Sequence, residues 1–326
     1  MWRTIVVLAF AAGIGFLSCQ EDVDSDVPST VFGTATIQAI AYGDGKFVAG
    51  GGSVGSESKM AYSADGINWT AVSNSTFGTD TIYTVVYEDG KFVAGGANGK
   101  IAYSTNGINW TAVNNSTFGT ATIHAVAYGD GKFVASGGSG GASKMAYSAD
   151  GINWTAVSNS TFETNTIFAV TYGGGKFVAG GMNGKMAYSA DGINWTATSS
   201  STFGTNNTTV GTSAYIYTVA YGNGKFVAGG MNNRMAYSAN GTTWTSVSEP
   251  TFGMYFIYAV AYGDGKFVAS GGNGKMAYST DGISWTAVSN SPFGTNNNVY
   301  AIIHIDGKIV AGGMNGKIAC WLEEKQ

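Results

Sequence analysis

Arginine is almost missing from this sequence: Arg3 and Arg234 are the only two, and charged residues of every kind make up 11% of its 326 residues. The net charge is −4, and the lysines are spread one or two to a repeat. A nucleic-acid binder needs a basic stripe to hold the phosphate backbone, so nucleic acid is excluded as a partner. Histidine is equally scarce. His124 and His304 stand alone without a cluster of ligating neighbours, so no metal and no cofactor is expected. Cysteine is confined to Cys19 and Cys320, and proline to three positions. No helical periodicity of useful length occurs, and the repeated Gly-x-Gly groups lack the strand-to-helix setting of a phosphate loop.

What fills the space instead is glycine, 50 residues of it, with aromatic residues at 13%. The glycines have no three-residue period, which excludes a collagen helix, and the recurrence of Trp, Tyr and Phe argues against disorder. Many short strands joined by glycine turns fit this composition.

The first residues differ from the rest. Arg3 supplies one positive charge, and Thr4 to Leu17 is an apolar run too short and too weakly flanked for a membrane-spanning helix. Phe16-Leu17-Ser18-Cys19 resembles the lipobox of bacterial lipoproteins, with Phe where most such boxes have Leu. That resemblance implies a signal peptide over residues 1–18 and a lipid on Cys19. Residues 19–22 then form an acidic tether, and residues 23–326 the folded domain. The implied address is the cell envelope, with the outer membrane favoured by Gln20, on its periplasmic or surface side. An acylated Cys19 would exclude an intrachain disulfide, leaving Cys320 as a buried structural thiol.

The folded part is repetitive. Gly-Lys-Phe-Val-Ala recurs with its lysines at 46, 91, 132, 176, 225 and 266, and as Gly-Lys-Ile-Val-Ala at 308. The spacings are 45, 41, 44, 49, 41 and 42 residues, a period that suits a four-stranded propeller blade. In the first unit the strand-like runs are Ile37 to Tyr42, Lys46 to Ala49 (ended by Gly50-Gly51), Lys59 to Ser63 and Asn68 to Val72. Asp-Gly turns accept the positive φ that matches strand twist. The seventh unit stops at its third strand, Lys317 to Trp321, while residues around Val23 to Val27 hold the register of a fourth. Pairing the two ends would close the ring and remove its open edge. The predicted fold is therefore an all-β, seven-bladed β-propeller of four-stranded blades, the last closed by an N-terminal strand, and monomeric.

A motif sits in the turn after the third strand of each of the first six units. It reads Ser63-x-Asp65-Gly66-x-x-Trp69 and recurs at Asn106 and Trp110, Asp150 and Trp154, Asp191 and Trp195, Asn240 and Trp244, and Asp281 and Trp285. This resembles the Asp-box, or bacterial neuraminidase repeat, of sialidase-like propellers, one residue short in the turn, over residues 30–321. The resemblance implies a structural hairpin on the side away from an active site. The sialidases themselves grip a carboxylate with three arginines, and Arg234, the one arginine past the leader, stands where other units have Lys. No bidentate clamp can be built from it, so the protein is expected to bind without catalysis.

Differences among such similar units carry information. The links that vary in length are Gly52 to Ser58, Gly138 to Ser143 and Thr198 to Tyr215, all expected on one face of the ring. On that face the second residue of each inner strand should ring the channel mouth: Gln38, Tyr83, His124, Phe168, Tyr217, Tyr258 and Tyr300. Rings with polar tips suit capture of a peptide or sugar. The expected partner is thus a protein or a glycan, beside the membrane reached through the lipid anchor; the alternatives are a periplasmic assembly or scaffold factor and, third, a glycan-processing enzyme of sialidase-like fold. Phe32 and its six equivalents, once per unit, are expected to be packing residues.

Overall fold

The structure, a computed structural model, describes residues 16–18, 31–52, 59–139, 141–198, 202–203 and 214–323. Its strands form seven antiparallel sheets of four, each continuous in sequence except the last. Blade one runs Thr36–Gly43, Lys46–Gly52, Lys59–Ser63 and Thr70–Ala71 from the channel outwards. The inner strands of blades two to seven are Ile82–Glu88, Ile123–Gly129, Ile167–Gly173, Ile216–Gly222, Ile257–Gly263 and Val299–Ile305.

Two boundaries depart from the sequence reading. Gly50 and Gly51 continue the second strand instead of ending it, pairing with Ala39 and Ile37. Glycine is needed at position 50 because a Cβ there would stand 2.8 Å from Ile82 Cγ2 of the next blade. The fourth strand is only two residues long, since Asn68 is held in the preceding turn by the Asp65 carboxylate.

The hydrophobic clusters straddle blade boundaries. Ala39, Val48 and Met60 of blade one pack with Ile82, Phe92 and Trp110 of blade two, and the same combination recurs around the ring. Burial of this kind is available only to a blade with a neighbour. The once-per-unit phenylalanines are all buried, from Phe32 at 1% exposure to Phe293 at 1%, as packing residues should be.

The ring closes. The Lys308 ammonium donates to the Asp65 carbonyl at 3.1 Å, the Gly316 amide to the Ala35 carbonyl at 2.9 Å, and Ile318 packs against the Phe32–Ile37 cluster. Blade seven also receives an N-terminal fourth strand, drawn from further upstream than expected. Phe16–Ser18 pairs with Ile318–Glu323 in the register Phe16 to Glu323, Leu17 to Leu322 and Ser18 to Trp321. The unpaired backbone of the last strand accepts an extended segment whatever its side chains, so the repeat alignment could not select between candidates. Val23 to Val27 lie outside the described residues. Cys320 also departs from expectation: it is half-buried and disulfide-bonded, and the other cysteine, Cys19, lies outside the described residues.

Candidate functional site

Each inner strand begins on the face where the second strand ends and the link to the third begins. Just inside that end lies a β-bulge, in the same place in all seven blades. The register slips between Ile37 and Ala39, Ile82 and Thr84, Ile123 and Ala125, Ile167 and Ala169, Ile216 and Thr218, Ile257 and Ala259, and Val299 and Ala301. The residue inside each slip is Gln38, Tyr83, His124, Phe168, Tyr217, Tyr258 or Tyr300. A bulge breaks the alternation of a strand and re-aims one side chain. Here it leaves the preceding Ile or Val fully buried and turns its own residue to the channel, half-buried.

All seven predicted mouth residues line one cavity of about 220 Å³ at the channel mouth. Six of them form an unbroken arc of rings. Centroid separations are 5.3 Å for Tyr83–His124, 5.1 Å for His124–Phe168, 5.6 Å for Phe168–Tyr217, 5.4 Å for Tyr217–Tyr258 and 4.6 Å for Tyr258–Tyr300. Gln38 stands between Tyr300 and Tyr83 in ring order, a polar gap in the arc. The interplanar angles run from 46° to 66°. Neighbouring blades of a seven-fold ring are rotated by about 51°, so the rings stand on edge around the channel instead of lying across it.

Among the described residues no Asp, Glu, Lys or Arg lines the cavity. Burial pushes the His124 imidazole down to about 4, so it is neutral at physiological pH. Burial, with Tyr215 and Tyr300 nearby, pushes the Tyr217 hydroxyl up to about 12, and burial likewise raises Tyr258. The Thr84 and Thr218 hydroxyls are occupied in stitching inner strands together, accepting from the Val126 and Val260 amides at 3.3 and 3.0 Å.

Three further mouth residues escaped the sequence reading. Where blades one to four have Thr just before the buried Ile, blades five to seven have Tyr215, Phe256 and Asn298. Tyr215 lies 5.7 Å from Phe168 and 6.0 Å from Tyr217, and Phe256 lies 6.1 Å from Tyr217 and 5.9 Å from Tyr258. The Asn298 amide donates to the Tyr300 hydroxyl at 3.0 Å. The departure from Thr at an aligned position was the signal available.

The Asp-box-like turns lie on the opposite face. In the first, Asp65 Oδ1 accepts the amides of Ile67 and Asn68 at 2.8 Å, Ser63 Oγ accepts the Gly66 amide at 2.9 Å, and the Trp69 indole donates to the Gly66 carbonyl at 3.1 Å. Asn106 and Asn240 accept the equivalent amides through their side-chain oxygens. These carboxylates are consumed in folding their own turns. Of the variable links, 53–58, residue 140, 199–201 and 204–213 lie outside the described residues. The ends of the second link continue their strand ladder, with Gly138 paired to Ser143 and Ser139 to Ala142.

Among the described residues no three His, Cys, Asp or Glu side chains gather as a metal site. A hollow of about 390 Å³ beside blade five contains Arg234, but that guanidinium donates to the Phe203 carbonyl, the role Lys100 and Lys144 play towards Phe77 and Phe118. His304 is buried 3.4 Å from the Asp264 carboxylate, remote in register from the mouth.

No family model matches the sequence. No curated protein matches it either. Solved structures do share its fold. A protein titled YCF48 from Cyanidioschyzon merolae is similar at 16% identity and a TM-score of 0.66, covering 91% of this chain and 98% of its own. A second, titled YCF48 bound to D1 peptide, is similar at 14% identity and a TM-score of 0.68, covering 95% and 98%. The computationally designed Ika8 protein is similar at 13% identity and a TM-score of 0.58, covering 89% and 96%. The chain is a seven-bladed β-propeller and shares that fold with these proteins.

Proposed function

We propose that this propeller is a binding module of the bacterial envelope, which captures a protein partner at the aromatic channel mouth. The observation that carries the reading is the seven-fold bulge. One backbone device, repeated in every blade, delivers six rings and one amide to a single neutral cavity. A propeller of similar fold has been captured with a peptide, which supports a protein over a glycan. The apolar leader supports export, and the lipobox-like Phe16-Leu17-Ser18-Cys19 supports attachment through a lipid on Cys19 in a form of the protein in which the Cys320 disulfide is not made. The hairpin motif supports kinship with sialidase-like repeats in the turns alone.

Site-specific photo-cross-linking in intact source cells tests the face. A benzophenone side chain at Tyr217 is expected to trap a protein partner, and the same group at Asp130, in a hairpin on the opposite face, is expected to trap none. Equal products from both positions, or from Asp130 alone, would remove the mouth as the site.

A further inference from the structure

The mouth is not symmetric, and its asymmetry has a chemical direction. In blades one and three the link into the inner strand reads Phe-Gly-Thr-Ala-Thr-Ile, and in blade two it differs only by Asp80. In blade six it reads Phe252-Gly253-Met254-Tyr255-Phe256-Ile257. Three small or polar residues have become large apolar ones, and the change is not absorbed by the core: Met254 is 87% exposed and Tyr255 42%. The segment is nonetheless held in place. The Tyr255 carbonyl accepts the Asn233 amide of blade five at 2.9 Å, and the Gly272 amide donates to the Phe256 carbonyl at 2.9 Å. Phe256 bridges the rings of Tyr217 and Tyr258, so the exposed pair is continuous in sequence with the mouth. An exposed apolar patch that adjoins a cavity marks a contact surface.

We infer that blades five and six carry a docking strip for an uncharged, extended peptide segment of a partner protein. One aromatic or large aliphatic side chain enters the mouth, and the flanking residues lie over Phe256, Tyr255 and Met254. The inference deepens the proposed function and rests on it. Three observations select this occupant. The cavity, at about 220 Å³, lies below the usual range of small-molecule pockets. A charged side chain would be desolvated there without a counter-ion among the described lining residues, where His124 is neutral. A sugar could draw on the tyrosine hydroxyls of the mouth, but Met254 and Phe256 of the strip offer its rim no hydrogen-bonding side-chain group.

The test uses immobilised, end-capped decapeptides of Gly, Ser and Asn with a central Phe, Trp or Leu, compared with the same series carrying Lys or Glu. Maltoheptaose and chitohexaose serve as the glycan probes. The purified protein is expected to retain the Phe and Trp peptides at least tenfold more than the charged ones, and to retain neither oligosaccharide. The triple substitution Met254→Thr, Tyr255→Ala and Phe256→Thr recreates the link of blades one and three, which this scaffold already folds. It is expected to weaken peptide retention about fivefold or more while leaving thermal unfolding unchanged. Tyr217→Ala with Tyr258→Ala should lower retention further. If the mouth pair abolishes retention but the triple variant retains peptide as the parent does, the strip is overturned and the mouth survives. If neither variant matters, both fall. A preference for charged peptides or for an oligosaccharide overturns the assigned ligand class.

Discussion

Lys308 and Asp65 lie 243 positions apart in sequence, and the lysine ammonium of the seventh blade donates to the aspartate carbonyl of the first at 3.1 Å. The same contact joins Lys91 to Asp150 and Lys176 to Asn240, each from one blade to the following turn motif. The boundary between the last blade and the first is therefore built like an ordinary internal boundary, with its own backbone bond from Gly316 to Ala35.

Closure should then survive loss of the leader. A chain beginning at residue 19 lacks the Phe16–Ser18 strand but keeps the Lys308–Asp65 and Gly316–Ala35 bonds and the packing of Ile318 on the Phe32–Ile37 cluster. It is expected to unfold in one cooperative transition, with a Tm lowered by no more than about 5 °C. Differential scanning calorimetry checks this, and a broad or split transition would show that the three-residue strand holds the ring shut.

At the end of four inner strands glycine is required by a tyrosine of the next blade. Gly222 lies beneath the Tyr262 ring, and a Cβ built on it would fall within that ring; Gly43, Gly129 and Gly173 stand in the same relation to Tyr87, Tyr172 and Tyr221. Gly222→Ala is expected to cost about 2 kcal/mol by overpacking. Urea denaturation should show a lower midpoint with an unchanged slope.

Acid should weaken the turn motifs. Burial alone would raise the Asp65 carboxyl, but hydrogen bonds from the Asn68 backbone and side chain, the Ile67 amide and the Ser63 hydroxyl outweigh it and hold it at about 2. Asp150 and Asp191 are lowered further by the same set of donors. A carboxyl depressed in the folded state stabilises fully above its unfolded value near 3.8, and that contribution is lost as pH falls through the folded one. The Tm is expected to fall between about pH 4 and pH 2, and the fall to flatten when Asp65, Asp150 and Asp191 are all changed to Asn. The Asn106 and Asn240 turns show that the amide accepts the same bonds.

Much of this architecture was legible because the units repeat. Aligning seven copies exposes positions such as 217 and 258 that vary where their neighbours do not, and all seven mouth residues were found that way. The bulge itself was not legible, since Ile-Tyr-Ala and Ile-His-Ala read as plain alternating strands. Tyr215 and Phe256 were missed because the residue before a strand reads as linker. Gly50 and Gly51 read as a stop, although here they extend a strand by letting the next blade approach. The closing strand failed for another reason: backbone pairing carries no side-chain signature over three residues.

Ser136 offers a check on the blade interior. It is fully buried in blade three, where the equivalent residue in blade one is Gly50, and its hydroxyl has no hydrogen-bond partner among the described residues. Ser136→Ala removes that unsatisfied group and is expected to stabilise the protein by about 1 kcal/mol, read from the denaturation midpoint.

The cysteines give a test of anchoring. Cys320 is disulfide-bonded, and the sequence has Cys19 as its one other cysteine. A lipid on the Cys19 sulfur and a bond from that sulfur to Cys320 exclude each other. In an acylated, membrane-extracted protein, intact mass should show the lipid, and Cys320 should alkylate without prior reduction. A mass without lipid, and alkylation that needs a reductant, would remove the anchor.

The seven bulges share one geometry yet accept an amide, an imidazole, a phenyl and four phenols. Such a collar is indifferent to what it displays. A single exchange at any of its stations would retune what the pore admits while the surrounding wheel keeps its shape, so new preferences could be acquired one spoke at a time.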